Sequence, residues 1–286
     1  MDQDLSELFE EWPFESGQIT VRVIEGKDGH PRIQVRLDLG LLQMNPIGRP
    51  DGTRPHGFES MLDYYESKID QSDRVNADDE SEHANEQNEG SEEQFLEKTA
   101  FDQQADQEAG ESAPKPMLTP DDCRSLREEA QQYYHRYIAM LVLEDYEAVV
   151  RDTSRNLRVL DLFRDFAIER DDRIAMESHR PYIMMMRARS LASLAMKTEE
   201  NKAAIFAIDQ GLAALKNYYE SIEQPELFDE SGEVLMLRDM RDSLVPKLPV
   251  SQRAELRQRL DAAIAAENFE LAAILRDEIR MLGGSH

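Results

Sequence analysis

The sequence predicts a mostly α-helical protein: a small N-terminal β-hairpin plus helix unit, a disordered acidic linker, an antiparallel helical array and a C-terminal helical hairpin. Three observations lead there. Apolar side chains alternate with a period of two near the N-terminus, helical periodicity runs almost unbroken from Thr119 onward, and half of the formal net charge of -26 falls within residues 70–112. The expected boundaries are residues 1–69, 70–117, 118–249 and 250–283. A chain of 286 residues, 40% of them hydrophobic, is long enough for about two ordinary domains.

The N-terminal unit rests on Ile19 to Glu25 and Pro31 to Leu39, which flank Lys27-Asp28-Gly29-His30. Ile33, Val35, Leu37 and Leu39 fall on one face, with Gln34, Arg36 and Asp38 on the other. Asp28-Gly29 supplies the positive φ of a tight hairpin turn. The alternation breaks at Gly40, which marks a bulge or the strand end. Phe58, Met61, Leu62, Tyr65 and Ile69 recur with helical spacing, a stripe expected to cover the hairpin's apolar face. A lone hairpin is marginal, so the unit needs a third strand, a partner or the helical domain. Residues 48–57, rich in Gly and Pro with Arg49, Arg54 and His56, read as a stiff, exposed connector; the functional alternative is an anion or phosphopeptide site.

Residues 70–112 hold 15 acidic and two basic residues, with Val75, Phe95, Leu96 and Phe101 as the large apolar groups. So little apolar surface does not offset a backbone entropy of roughly 1–2 kcal/mol per residue, and a solvated tether is expected. Its alternative is an acidic mimic of DNA that docks through Phe95, Leu96 and Phe101.

Thr119-Pro120-Asp121-Asp122 starts the helical array, with an N-cap, a first-turn proline and acids at the positive end of the helix dipole. Leu126, Ala130, Tyr133, Tyr134, Tyr137, Ile138 and Leu141 form the first apolar stripe. Tyr146, Val149, Val150, Thr153, Leu157, Leu160 and Phe163 form the second. Further helices are expected at about 173–197, 202–223 and 232–245. Leu141 to Ala148, Ala192 to Ala195 and Ala203 to Ile208 resemble tetratricopeptide-type helix pairs. The family's Trp and Pro markers are absent, so the resemblance implies only an array that presents a groove.

Several residue constellations are candidates for chemistry. None of the six histidines has another His or Cys at i+3 or i+4, so no metal is expected, and no cofactor loop or nucleophile motif occurs. His135 reads as a packing residue. Cys123, the single cysteine, reads as a small buried residue rather than a reactive thiol. Arg151, Arg155 and Arg158 lie on one helical face and read as a solvated stripe paired with Glu147 and Asp161; the alternative is a phosphate or partner site. Met184, Met185 and Met186 point in three directions and read mostly as core.

In the C-terminal segment, Leu256, Leu260, Ala263 and Ile264 follow Ser251, Glu267-Asn268 makes a turn, and Phe269, Ala272, Leu275, Ile279 and Leu282 mark a second helix. Through Leu256, Leu260, Ala263, Asn268-Phe269-Glu270, Ala272-Ala273, Leu275-Arg276-Asp277 and Ile279 it resembles the UVR motif, a helical hairpin of bacterial proteins. The resemblance implies a protein-protein contact, with another copy or a partner's copy, linked to DNA repair or stress-response machinery. It places partner-binding residues at Leu256, Leu260, Phe269, Ala272, Leu275, Arg276 and Ile279, with Phe269 as anchor. The helicase, nuclease and zinc-binding parts of proteins that carry the motif are missing.

Composition bounds the function classes. Net charge -26 opposes direct nucleic-acid binding. One cysteine fits a reducing, cytoplasmic setting, and no apolar stretch suggests export or a membrane span. The expectation is a non-enzymatic interaction or adaptor protein without cofactors. Its rival is an enzyme or enzyme subunit with a site in the groove of the array or in the 48–57 loop.

Overall fold

A computed structural model describes residues 4–86, 117–244, 252–265, 271–272 and 275–276. A short helix α1 (Ser6–Glu11) precedes a three-stranded antiparallel sheet of β1 (Val21–Glu25), β2 (Pro31–Leu37) and β3 (Gly40–Met44) in the order β1-β2-β3. Val23 pairs with Ile33, and Ile33 with Met44. Gly29 takes the φ of 76° that the first turn requires. The third strand begins at Gly40, where the alternation breaks. Leu39 therefore sits at a turn tip and is 90% exposed, correcting its expected place on the apolar face.

Both faces of β2 are covered. Ile33 and Val35, with Met44, join a core cluster that includes Tyr137 and Met140. On the opposite side the Arg36 Nε donates to the Trp12 carbonyl at 2.8 Å, and its guanidinium lies 4.0 Å over the Phe9 ring. Arg36 is thus buried by α1 and the turn after it, although alternation alone places it in solvent.

Helix α2 (Met61–Glu86) runs beyond the expected boundary at residue 69. Residues 70–86 were expected to be disordered, and this portion is helical instead. The rest of the expected linker, residues 87–116, lies outside the described residues. Met61, Leu62, Tyr65 and Ile69 do not cover the hairpin. They pack with Leu118, Leu126 and Phe163 in a second cluster, because the helical array offers a deeper apolar surface than one face of a small sheet.

The array consists of α3 (Pro120–Val142), α4 (Tyr146–Phe166), α5 (Arg170–Glu177), α6 (Arg180–Lys197), α7 (Asn201–Ser221), α8 (Leu227–Glu230) and α9 (Gly232–Leu244). Thr119 caps α3 in a reciprocal capping box with Asp122, and Asp145 caps α4 by accepting from the Ala148 amide. The helix expected over 173–197 is two helices. Pro181, in the first turn of α6, lacks the amide that a continuous helix needs. Helices α3, α4, α6, α7 and α9 pack in succession. A Cβ at Gly211 would come within 2.4 Å of the Ala188 Cβ, so glycine is required where α6 and α7 meet. The last described helix is α10 (Gln252–Ala265).

Candidate functional site

The C-terminal hairpin has its own apolar seam. Leu256, Leu260 and Ala263 recur on one face of α10, and Ala272 and Leu275 are one helical turn apart on the following segment. Leu256, Ala263, Ala272 and Leu275 form one buried cluster, with Leu260 partly buried against it. The two alanines let the backbones approach closely. Leu256, Ala272 and Leu275, three of the expected partner-binding residues, are thus buried in this seam, Leu275 at 2% exposure. Arg276 is exposed. Phe269 and Ile279 lie outside the described residues. Ile264, 51% exposed, and Leu271, 38% exposed, stand outside this cluster.

The arginine stripe and the 48–57 loop meet in an ionic seam between the N-terminal unit and the array. The Arg136 guanidinium holds Asp152 and donates to the carbonyls of Asn45 and Gly48, the latter at 2.6 Å. Glu129, fully buried, accepts from the Met61 amide at 2.8 Å and the Leu62 amide at 3.4 Å. It thereby caps the positive end of α2. Arg155 donates to the same carboxylate, and Arg49 lies 3.4 Å from it. The Tyr133 ring is flanked by Arg155 at 4.0 Å and Arg136 at 4.7 Å.

The seam corrects one part of the expectation for the stripe. Arg155 is buried, whereas Arg151 and Arg158 stay exposed and paired, Arg151 donating to Asp152 and to the Pro46 carbonyl and Arg158 to Glu66. The expected partners Glu147 and Asp161 are not those used, because loop 45–50 and α2 bring acceptors closer; Asp161 bridges Arg164 and Arg180 instead. The 48–57 loop is mostly exposed, as expected of a connector, with Pro50 buried and Arg49 half-buried against the array. It makes the expected turn, with the Gly52 amide donating to the Arg49 carbonyl.

The perturbed groups belong to packing. Burial, followed by the field of Asp172, pushes the Cys123 thiol up to about 12. Burial raises the Tyr133 phenol to about 12 and holds His135 below its ordinary value. Burial also pulls the Arg155 guanidinium down, with Asp63 acting in the opposite sense. Among the described residues no His, Cys, Asp and Glu cluster could hold a metal ion. No described helix is long and apolar enough to cross a membrane.

A sheet-and-helix body joined to a small self-packed hairpin defines a helical-array protein with a separate C-terminal module. That module is recognisable: residues 251–284 match the family model of the UvrB/uvrC motif. No curated protein and no solved structure matched the chain.

Proposed function

We propose that this chain is a non-enzymatic docking or adaptor protein of the cytoplasm. Its C-terminal hairpin pairs with a second hairpin of the same kind, on another copy or on a partner protein. The observation that carries this reading is the coincidence of the UvrB/uvrC motif match with a helical pair that has its own seam and bears Ile264 and Leu271 outside it. A motif spanning residues 251–284 has little core of its own, so joining two such modules into a four-helix arrangement adds the burial each lacks. Ile264 and Leu271 supply exposed apolar side chains that such a contact would cover.

The body supports a scaffold better than a catalyst. An enzyme gathers perturbed acids and bases in an open cleft. Here Cys123, Tyr133 and Arg155 are taken up in the array and its ionic seam. The motif resemblance links the partner to DNA-repair or stress-response machinery. Affinity capture on the immobilised full chain, with Phe269→Ala as control, tests the reading. A set of proteins, or further copies of the chain, retained by the parent and lost from the variant at equal helicity is the expected result.

A further inference from the structure

A second surface differs in chemistry from the rest of this acidic chain. Between α4, α6 and α7 lies a groove of about 640 Å³, floored by Ala188, Ala207 and Gly211 and walled by Leu157, Leu191 and Phe206. Phe206 projects at its edge, 65% exposed. Although the chain carries 59 Asp and Glu residues, none lines the groove. The one charged side chain in its wall is Arg187. Its Nε donates to the Ser154 hydroxyl at 2.9 Å, and among the described residues no carboxylate pairs with it. A small-residue floor accepts bulky side chains, and an acid-free wall with an arginine favours an acidic ligand.

We propose that this groove receives the chain's own segment Glu92–Asp102, with Phe95, Leu96 and Phe101 entering the apolar floor and its carboxylates meeting Arg187. The segment combines the two properties the groove selects. It holds three of the few large apolar residues in the acidic stretch, flanked by Glu92, Glu93, Glu97 and Asp102. It lies among residues 87–116, outside the described residues, and its tether is long enough. The chain re-enters the array where Leu118 bridges to Ala167, at the C-terminal end of α4. Leu157 is ten residues earlier on that helix, about 15 Å along its axis. Sixteen residues separate Phe101 from Met117, a reach of roughly 50 Å. A tether of this kind raises the local concentration of the segment to the order of millimolar, so a weak contact suffices to fill the groove. Any outside ligand of the same acidic, aromatic chemistry must then displace it.

The test uses the full chain with p-benzoylphenylalanine placed at Phe206, irradiated at low micromolar concentration and mapped by mass spectrometry. Cross-links within one chain to residues 92–102 are expected. Their yield should fall at least tenfold in the Phe95→Ser, Leu96→Ser, Phe101→Ser variant at unchanged circular dichroism. A synthetic peptide of residues 90–104 should then label that variant and not the parent. Cross-links confined to the C-terminal hairpin or to a second copy, no cross-link, or a yield unaffected by the triple substitution would each overturn the proposal.

Discussion

Arg136 and Asp152 meet in a buried, two-pronged ion pair, Nε to Oδ2 at 2.7 Å and Nη2 to Oδ1 at 2.8 Å, formed between the first two long helices of the array. The same guanidinium donates to two carbonyls of the N-terminal loop, so one side chain joins α3, α4 and the segment after β3. Buried carboxylates and guanidiniums carry a desolvation cost, which the bidentate geometry and the extra acceptors offset. Stability of the N-terminal unit is thereby tied to the array.

Substitutions along the arginine rows should consequently have unequal effects. Arg136→Met leaves the buried Asp152 with the half-exposed Arg151 as its ion-pair partner and should cost about 3 kcal/mol. Arg158→Ala removes a half-exposed pair with Glu66 and should cost about 0–1 kcal/mol. Equilibrium urea unfolding measures both. The added change Asp152→Leu in Arg136→Met should recover part of the loss.

Glu129→Gln should loosen the N-terminal unit from the array. The amide retains one acceptor oxygen for the amides that start α2 but loses the charge that faces Arg155 and Arg49. Hydrogen exchange should accelerate in residues 45–65 well before it changes in α6 and α7. Uniform acceleration throughout the chain would show that the two parts do not separate in this way.

Cys123 should be an inert thiol in the native protein. Burial and Asp172 lift it from 9.0 to about 12, which lowers the thiolate fraction on the order of a thousandfold. Iodoacetamide at pH 8 should label it slowly until denaturant is added. Rapid native labelling would contradict the packing described for the start of α3.

Acid should weaken that same helix start. Burial raises the Asp122 carboxyl, but hydrogen bonds from Tyr65 and Thr119, with Lys68 nearby, outweigh it and hold the group below 3.8. The folded value is depressed, so this contribution is complete above the ordinary carboxylate value and disappears as pH falls through the folded one. Stability of the parent should fall more steeply below about pH 4 than that of Asp122→Asn. Parallel acid-unfolding curves would contradict the capping-box account.

Much of the body was legible because its signals are local. The Asp28-Gly29 turn, the Thr119 cap, the apolar stripes of α3 and α4 and the two-helix pattern at the C-terminus each lie within a few residues of what they specify. The seam was illegible because it is long-range: Arg158 and Glu66 lie 92 positions apart, and Arg136 and Gly48 lie 88 apart. Periodicity correctly set Arg151, Arg155 and Arg158 on one face, but it could not show that Arg155 at its centre is buried on Glu129 while its neighbours stay exposed. Burial of Arg36 failed for the same reason, since α1 returns to cover it. Pro181 was a visible break signal that strong flanking periodicity obscured. In the hairpin the seam positions were readable, while the choice of Leu275 as interior and Ile264 as exterior depends on how the two helices are rotated.

The proposed docking of the hairpin on other hairpins rests on its outer apolar side chains. Its most direct measurement is quantitative capture on the immobilised full chain, parent against Ile264→Asp plus Leu271→Asp, with melting temperature followed in parallel. The proposal predicts that specifically retained copies or partner proteins fall at least tenfold while the melting temperature of the array stays constant. Unchanged capture together with a lowered melting temperature would contradict it, and would identify the hairpin as a cap on the array.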